Sequence, residues 1–431
     1  MEHRLITTVL KVASTMAAAL LIAGPASATP GEWHEDIRYL RAEMPAAHPN
    51  LFHTLTAEEF EQELDRLDKV WPDLDRKEAV IELSRMLAKL RDGHSMVAGF
   101  FPDVDPEFRL LPVQFYEFPD GLYVRSAHQS YAGLAGSRVL QIGGIDADEA
   151  VRRVSALSGH DNQMSVKSRT PAYMQSAVVL KYLGLSKTDD SIDLRVEKDG
   201  VVSSYTVKPD PMLAAKSPYG MIERADWIDA GGLAVADRAL YLRHPDTAIW
   251  HNYDAQARIY YLQVNAFEKT DEDEFSALLD SIGADMETRT IDRFVLDVRN
   301  NQGGETGLVP PLAKWLLANP AVNRKDRFFV IIGRRTFSAT QLLLNALSQY
   351  SDAIFVGEPT GSSPIFYANS RPNVVLADKD ISILLPTKLW QTVNADDDRL
   401  CQEPDISAEP TSDDYRSNRD PAMEAVRNYR D

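Results

Sequence analysis

The spacing of apolar residues changes twice along this chain. From about residue 30 to residue 100, apolar side chains recur every three or four positions with charged residues between them, which is the period of an amphipathic helix. The pattern predicts helices over 32–44, 57–70 and 76–90. Thr56 precedes the second helix and Glu59 follows three positions later, the capping-box pair that begins many helices.

The second stretch, from about 108 to 210, consists of short alternating or β-rich segments separated by turn residues. The strands that we expect there cover 111–116, 121–125, 137–142 and 192–196, and one helix covers 147–157. This arrangement resembles a PDZ-like module, in which a peptide adds to a sheet edge beside a helix.

In the third stretch, from about 240 to 410, strands alternate with helices. The expected strands are 258–264, 293–298, 328–333 and 353–357, and the helices between them are 272–282, 307–317 and the segment that begins near Gln341. Strands separated by helices of this length predict a largely parallel sheet, whose ligand sites lie beyond the carboxyl ends of the strands. The chain is therefore predicted to be a multidomain α/β protein.

The first residues have the pattern of a secretory signal peptide. Arg4 and Lys11 lie in or beside a short apolar segment, and the small residues Ala26-Ser27-Ala28 follow it. We predict cleavage after Ala28 and export to the periplasm or the medium. No later run has the roughly 20 apolar residues that a membrane helix needs, so no stable membrane span is expected after cleavage.

Charge and cysteine content exclude several classes of function. The formal net charge of −18 disfavours binding to nucleic acid, because binding to phosphates requires basic surface. Cys401 is the single cysteine, so no intrachain disulfide can form, and no cluster of cysteine and histidine has metal-binding spacing. We therefore predict neither a metal site nor a cofactor.

Two segments at strand ends contain candidate catalytic residues. Ser338 falls between the strand that ends near Gly333 and a helix, where a serine commonly caps the helix but can also be a nucleophile beside free backbone N–H groups. At the end of the 293–298 strand, Gly303 and Gly304 form either an ordinary turn or a backbone that approaches a substrate carbonyl.

Together these segments resemble the tail-specific (C-terminal-processing) serine proteases and their tricorn-core relatives. The segments that match are 297–304, 336–341, 356–361 and 403–406. The resemblance implies an N-terminal helical cap, a PDZ-like module and an α/β core with a mostly parallel sheet of the ClpP/crotonase-like kind. It also implies that Ser338 is the nucleophile, and that the N–H of Ala339 with that of Gly303 or Gly304 forms the oxyanion hole.

The chain departs from the members of this family that use a Ser-Lys dyad. Their lysine lies about 25 positions past the serine, where this chain has Ser363, and no lysine occurs between Ser338 and Asp378. A serine hydroxyl still needs a base, and histidine is the usual one. His94, in Asp92-Gly93-His94-Ser95, resembles the histidine segment of the tricorn-like branch, with His244 and His251 as alternatives.

A third group should orient the imidazole and stabilise its cation. The tricorn-like pattern has an acidic residue shortly before the final Pro-Asp segment, which favours Asp398, then Asp397, then Glu403. Ser95 is a further candidate for polarising the histidine, although a turn hydrogen bond is the commoner role for such a serine.

These observations predict an exported serine peptidase that acts on peptides or proteins. The predicted segments are a signal peptide at 1–28, a helical cap at 29–105, a PDZ-like module at 106–212, an α/β catalytic core at 213–411 and a charged, solvated tail at 412–431. The alternatives are an esterase that uses the same site, or a non-catalytic protein that binds hydrophobic ligands or peptides on the same fold.

Overall fold

The computed structural model describes residues 33–100, 105–210, 224–377 and 379–430. The predicted signal peptide at 1–28 lies outside the described residues. Within these ranges, no helix is long and apolar enough to cross a membrane.

Amphipathic helices begin the described chain, as their apolar spacing predicts. They are followed by a short strand, and the elements are α1 (Trp33–Ala47), α2 (Ala57–Val70), α3 (Arg76–Ala88) and β1 (Met96–Val97). The capping box is present: the Glu59 N–H donates to Thr56 Oγ1 at 3.2 Å, and the Thr56 N–H donates to Glu59 Oε2 at 2.9 Å. The boundary of α2 is therefore confirmed by the same side chains that predicted it.

The PDZ-like module forms an antiparallel sheet with helices on one side. Its elements are β2 (Val113–Phe118), β3 (Gly121–His128), β4 (Arg138–Ile142), β5 (Ile145–Asp146), α4 (Ala147–Ser155), α5 (Gln163–Tyr173), α6 (Ala177–Tyr182), β6 (Ile192–Lys198), β7 (Val201–Val207) and β8 (Trp227–Asp229). The strand order is β2-β3-β4-β6-β7, with β5 beside β4 and β8 beside β3. Because β8 pairs with β3, this sheet includes residues beyond 212, the predicted end of the module.

The α/β core alternates strands and helices. In chain order it contains β9 (Ile249–Asp254), β10 (Ile259–Val264), α7 (Glu272–Glu287), β11 (Arg293–Asp297), α8 (Val309–Ala318), β12 (Phe328–Ile332), α9 (Ala339–Tyr350) and β13 (Ile354–Gly357). The sheet order β13-β12-β11-β10 is parallel throughout, and β9 joins β10 antiparallel. The expected α/β class with a mostly parallel sheet is confirmed.

The last part of the chain contacts the helical cap, the PDZ-like module and the α/β core. It forms β14 (Ile365–Ala368), β15 (Arg371–Leu376), β16 (Ile381–Leu385), β17 (Lys388–Gln391), β18 (Ile406–Ser407), α10 (Ser412–Arg416) and α11 (Pro421–Asn428). Strand β18 extends the core sheet beside β13, and the hairpin β15–β16 pairs with β1 next to the helical cap. Buried residues of the cap, the PDZ-like module and this hairpin form one hydrophobic cluster, so these parts share a core.

The prediction of a solvated tail at 412–431 is wrong. Helix α11 buries Ala422, Met423 and Val426 against the face of the core sheet that includes Ile331 and Val356. At its start, the Asp420 carboxylate receives two hydrogen bonds from the guanidinium of Arg299, at 2.9 and 3.0 Å. The charged composition of the tail concealed an amphipathic helix whose apolar positions lie three and four residues apart.

Candidate active site

Ser338 occupies a strained turn between β12 and α9. Its backbone has φ 57° and ψ −123°, a conformation that L-residues rarely adopt outside functional sites. The Ser338 side chain makes no cap hydrogen bond to α9, so the capping interpretation of this serine does not hold. A strained turn of this kind, from strand to helix, exposes a nucleophilic hydroxyl at the end of a sheet.

The turn is held by hydrogen bonds to the neighbouring strand end. Thr336 Oγ1 donates to the carbonyl of Val298 at 2.9 Å and accepts from the Gly333 N–H at 3.0 Å. The Phe337 N–H donates to the carbonyl of Asn301 at 3.1 Å. These bonds join the two loops that the sequence singled out, and they impose the backbone conformation of Ser338.

The glycine pair packs directly against this turn. A Cβ atom added at Gly303 would lie 2.8 Å from both Ala339 N and Ser338 Cβ, which only glycine avoids. The Gly303 N–H already donates to Asn301 Oδ1 at 2.8 Å. Among the described residues, no partner accepts a hydrogen bond from the N–H of Gly304 or of Ala339. These two donors are therefore available to a ligand, whereas that of Gly303 is not.

His94 meets Ser338 across 244 positions of sequence. The distance from His94 Nε2 to Ser338 Oγ is 2.9 Å. The imidazole lies between the rings of Phe337 and Phe366, with ring centroids 4.6 and 5.5 Å away and nearly parallel planes. Within the described residues, the buried Nδ1 atom has no hydrogen-bond partner. Stacking rather than a hydrogen bond to Nδ1 therefore orients this ring.

Asp92 lies beside His94 as a buried carboxylate. Its Oδ1 accepts the backbone N–H of His94 at 2.8 Å, and its Oδ2 accepts the Ser95 hydroxyl at 2.6 Å and contacts His48 Nε2 at 3.2 Å. Burial favours the neutral acid, but these hydrogen bonds and the nearby imidazole lower the pKa of Asp92. Asp92 is therefore a fixed negative charge beside the imidazole.

A second carboxylate, Asp161, completes the polar surroundings of His94. Asp161 Oδ1 accepts the Gly93 N–H at 2.7 Å, and Oδ2 accepts the Ser362 hydroxyl at 3.0 Å and the Ser363 N–H at 3.3 Å. Burial and the neighbouring charge of Asp92 raise the pKa of Asp161 to about 6. No motif in the sequence marks Asp161, which lies between the predicted elements, whereas Asp92 stands in the histidine motif itself.

The electrostatic surroundings keep the His94 imidazole neutral. Burial lowers the pKa of His94 to about 4; Asp92 opposes this shift, and the guanidinium of Arg169 adds to it. Arg169 is held nearby over the ring of Phe337, at 4.9 Å from the ring centroid. At neutral pH the ring is unprotonated, and it can therefore accept a proton from the serine hydroxyl.

Three of these groups also have donor atoms close enough to bind a cation together. Ligand atoms of Asp92, His94 and Asp161 lie within 4.8 Å of one another. All four carboxylate oxygens, however, already accept hydrogen bonds from N–H or O–H groups. Each of these oxygens therefore has a hydrogen-bond donor, whereas His94 Nδ1 has no partner among the described residues.

The structure does not bring the predicted acidic partners to His94. Asp398 is exposed, Asp397 pairs with Arg399 at 2.7 Å, and Glu403 accepts the Cys401 thiol at 3.1 Å. Assignment of the acid by its distance in sequence from the Pro404-Asp405 segment fails because the 396–403 loop turns its carboxylates to solvent or to local partners. Ser95 bonds to Asp92 instead of to the imidazole.

The alternative histidines lie elsewhere in the core. His251, on β9, contacts the hydroxyl of Tyr260 at 2.8 Å, and His244 packs against the ring of Trp250. Neither contacts Ser338.

No protein-family model matches this sequence, and no curated protein sequence is significantly similar to it. Solved structures are similar in fold. Mature CPAF complexed with lactacystin is 13% identical, with a TM-score of 0.59 over 91% of this chain and 96% of the other. A serine-to-alanine variant of CPAF is 12% identical, with a TM-score of 0.57 over 93% of this chain and 98% of the other. The photosystem II D1 C-terminal processing protease covers 92% of this chain and 98% of its own, at 13% identity and a TM-score of 0.40.

The similarity to the two CPAF structures extends over 91% and 93% of this chain. At such low identity, what the chain shares with CPAF is its fold.

Proposed function

We propose that this protein is a serine-type hydrolase that cleaves peptide bonds. The observation that carries the proposal is the 2.9 Å contact between His94 Nε2 and Ser338 Oγ, at a strained turn beside two N–H groups that have no partner among the described residues. Acyl transfer requires a nucleophile, a neutral base and backbone N–H groups that are free to donate hydrogen bonds to the oxyanion.

The reaction follows from this geometry. His94 Nε2 takes the hydroxyl proton as Ser338 Oγ attacks the carbonyl carbon of the substrate. The resulting oxyanion accepts hydrogen bonds from the N–H groups of Ala339 and Gly304. His94 then protonates the leaving amine, which leaves an acyl group on Ser338, and water attacks this ester with His94 again acting as the base.

The carboxylate that stabilises the imidazolium in this scheme is Asp92. Its charge raises the pKa of His94, which means that it favours the protonated ring that forms during attack. The rings of Phe337 and Phe366 maintain the orientation that a hydrogen bond from Nδ1 would otherwise supply. This assignment replaces Asp398, which lies in an exposed loop.

The peptide bond is favoured as substrate by the motif resemblance to tail-specific proteases. The same machinery would hydrolyse an ester, so the two substrates need a direct comparison. A fluorophosphonate probe tests for the activated serine: we expect labelling of the intact protein, none with Ser338→Ala, and at least about a hundredfold slower labelling with His94→Ala. Absence of labelling in the folded protein would exclude a hydrolase and favour a binding protein.

The second step uses a peptide library and a panel of short-chain esters, with Ser338→Ala as the background control. Cleavage of peptides that disappears in Ser338→Ala supports the peptidase assignment. Turnover of esters alone, with no peptide cut, would make the protein an esterase.

We also propose that the chain is exported and loses residues 1–28. The support is the basic start, the apolar segment and the small residues that end at Ala28. N-terminal sequencing of the protein recovered from cells tests this proposal, and a mature chain that begins at Thr29 is the expected result.

A further inference from the structure

A small cavity of about 50 Å³ lies where the PDZ-like module meets the α/β core, outside the residues described above as the candidate active site. The module contributes Tyr116, Phe118 and Arg125 from β2 and β3. The core contributes Arg334 and Arg335, which follow the end of β12 and precede Ser338 by only a few residues. Aromatic rings from elsewhere in the chain, Tyr241 and Tyr415, complete the wall.

Arginine side chains are concentrated in the wall of this cavity although the chain as a whole is acidic. Four arginines line it against one carboxylate, that of Glu358. Glu358 is already paired with Arg334 at 2.6 Å, and Arg334 also binds Glu409 at 2.8 Å. Two arginines of the wall thus have carboxylate partners, since Arg299 is likewise paired with acidic residues behind the wall.

The other arginines of the wall are held by neighbouring residues. Arg299 pairs with Asp297 and Asp420, at 2.8 and 2.9 Å, and stacks over the ring of Tyr241. Arg125 donates twice to Gln114 Oε1 and lies over the ring of Tyr116. These contacts fix the directions of the guanidinium groups before any ligand arrives.

Arg335 differs from the others. Within the described residues it forms no ion pair, and its buried Nε atom has no hydrogen-bond partner. Burial and the nearby charge of Arg125 lower the pKa of Arg335 to about 10. A buried N–H donor without an acceptor is costly, and an anion that accepts from Arg335 Nε would remove that cost.

We propose that this cavity is a carboxylate-binding site in which Arg335 is the principal ligand-binding residue. A guanidinium presents Nε and Nη hydrogens in a planar fork that matches the two oxygens of a carboxylate. The cavity has room for a carboxylate head, and the rings of Tyr116, Phe118 and Tyr241 provide an apolar wall for the carbon chain behind it. A free organic acid and the C-terminus of a peptide both supply this group.

Calorimetric titration of the full-length Ser338→Ala protein tests the site without any dependence on hydrolysis. The probes are propionate, benzoate, an acetylated tripeptide acid ending in phenylalanine, the amide of the same tripeptide, and inorganic phosphate. We expect saturable binding of the acids and none of the amide. Tighter binding of the tripeptide acid than of benzoate would identify a peptide C-terminus as the source, and the reverse order a free acid.

Substitution of Arg335 by methionine keeps most of the side-chain volume and removes the charge. Arg335→Met should weaken binding of the acids about tenfold or more, because a charge-assisted hydrogen bond is lost. The matched control is Arg195→Met, since Arg195 is exposed on β6 and does not line the cavity, and it should bind as before. Equal binding by Arg335→Met, tighter binding of phosphate than of every acid, or no binding of any acid would overturn the proposal.

The melting temperature without ligand separates a binding role from a structural one. If Arg335 exists to bind an anion, Arg335→Met should be at least as stable as the parent, since the unpaired charge is gone. A clear fall in melting temperature, with no acid-dependent stabilisation of the parent, would show that Arg335 is structural and would refute the site. Because every measurement uses the Ser338→Ala background, these results do not depend on whether the protein is a peptidase.

Discussion

Replacement of Gly303 by alanine tests the proposed oxyanion hole most directly. The added Cβ would lie 2.8 Å from Ala339 N, 2.8 Å from Ser338 Cβ and 2.9 Å from the carbonyl oxygen of Phe337. Ordinary contact begins at 3.4 Å, so the 303 and 338–339 backbones must separate by about 0.6 Å. Two of the three atoms belong to the backbone of the strained turn, and no flexible side chain can move aside in their place.

The expected loss of activity follows from this displacement. A misplacement of about 1 Å at a reacting group can reduce rates about a hundredfold, and loss of one oxyanion donor costs about 10² to 10³ in kcat. We therefore expect Gly303→Ala to lower the second-order rate of fluorophosphonate labelling at Ser338 by about a hundredfold. The φ of +97° at Gly303 adds a conformational cost of about 1–2 kcal/mol to folding.

The matched control is Gly144→Ala. Gly144 has a φ of +84°, but a Cβ there would meet no atom within 4 Å, so this variant carries the conformational cost without the collision. It should lose stability and label at the parental rate. If Gly303→Ala labels as fast as Gly144→Ala, the backbone at 303–304 does not support the transition state and the assignment of the hole is wrong.

Three further predictions concern the base, the strained turn and the buried arginine. Because the pKa of His94 is lowered to about 4, the labelling rate should stay high as pH falls and decline only near pH 4, where the ring gains its proton. Arg169→Met removes one cause of that lowering, so the decline should move to higher pH; an unchanged profile would mean that another group is titrating. Glycine tolerates the φ of 57° at position 338 and alanine does not, so Ser338→Gly should be more stable than Ser338→Ala by about 1 kcal/mol in unfolding free energy. Calorimetry should therefore show the higher melting temperature for Ser338→Gly. The opposite order would contradict the strain. Arg334→Met leaves Glu358 buried without its cation and should cost about 3–5 kcal/mol in denaturant unfolding, whereas Arg195→Met, on the surface, should cost little; equal costs would show that the ion pair is unimportant.

Local patterns predicted the elements well where side chains act on their own backbone. The start of α2 follows from Thr56 and Glu59, which satisfy the first N–H groups of the helix in any tertiary setting. The buried strands β11 and β12 are predicted by short, continuous apolar runs, which favour a buried strand. The sequence pattern does not predict helix α11, because its apolar residues are few and the charges around them are typical of a solvated tail.

The acidic partner of His94 could not be predicted from the sequence. Distance along the chain from a motif favours Asp398, yet a loop can turn its carboxylates in any direction. Asp161 and Asp92 meet only because the loop after α4 packs against the turn at Gly93 and the segment at Ser362. No pattern in the residues around 161 predicts these contacts.

The sequence by itself determined the elements, the α/β class and the two loops that carry the serine and the glycines, because periodicity and turn chemistry are local. The absence of a lysine in the forty residues after Ser338 also indicates that the base is a histidine far upstream. Only the tertiary structure decided that His94 contacts Ser338, that the buried Asp92 and the half-buried Asp161 lie beside it, and that Arg335 Nε has no partner among the described residues. Such relations depend on how domains pack and on which charges burial leaves unpaired, and neither is encoded in the spacing of residues along one segment.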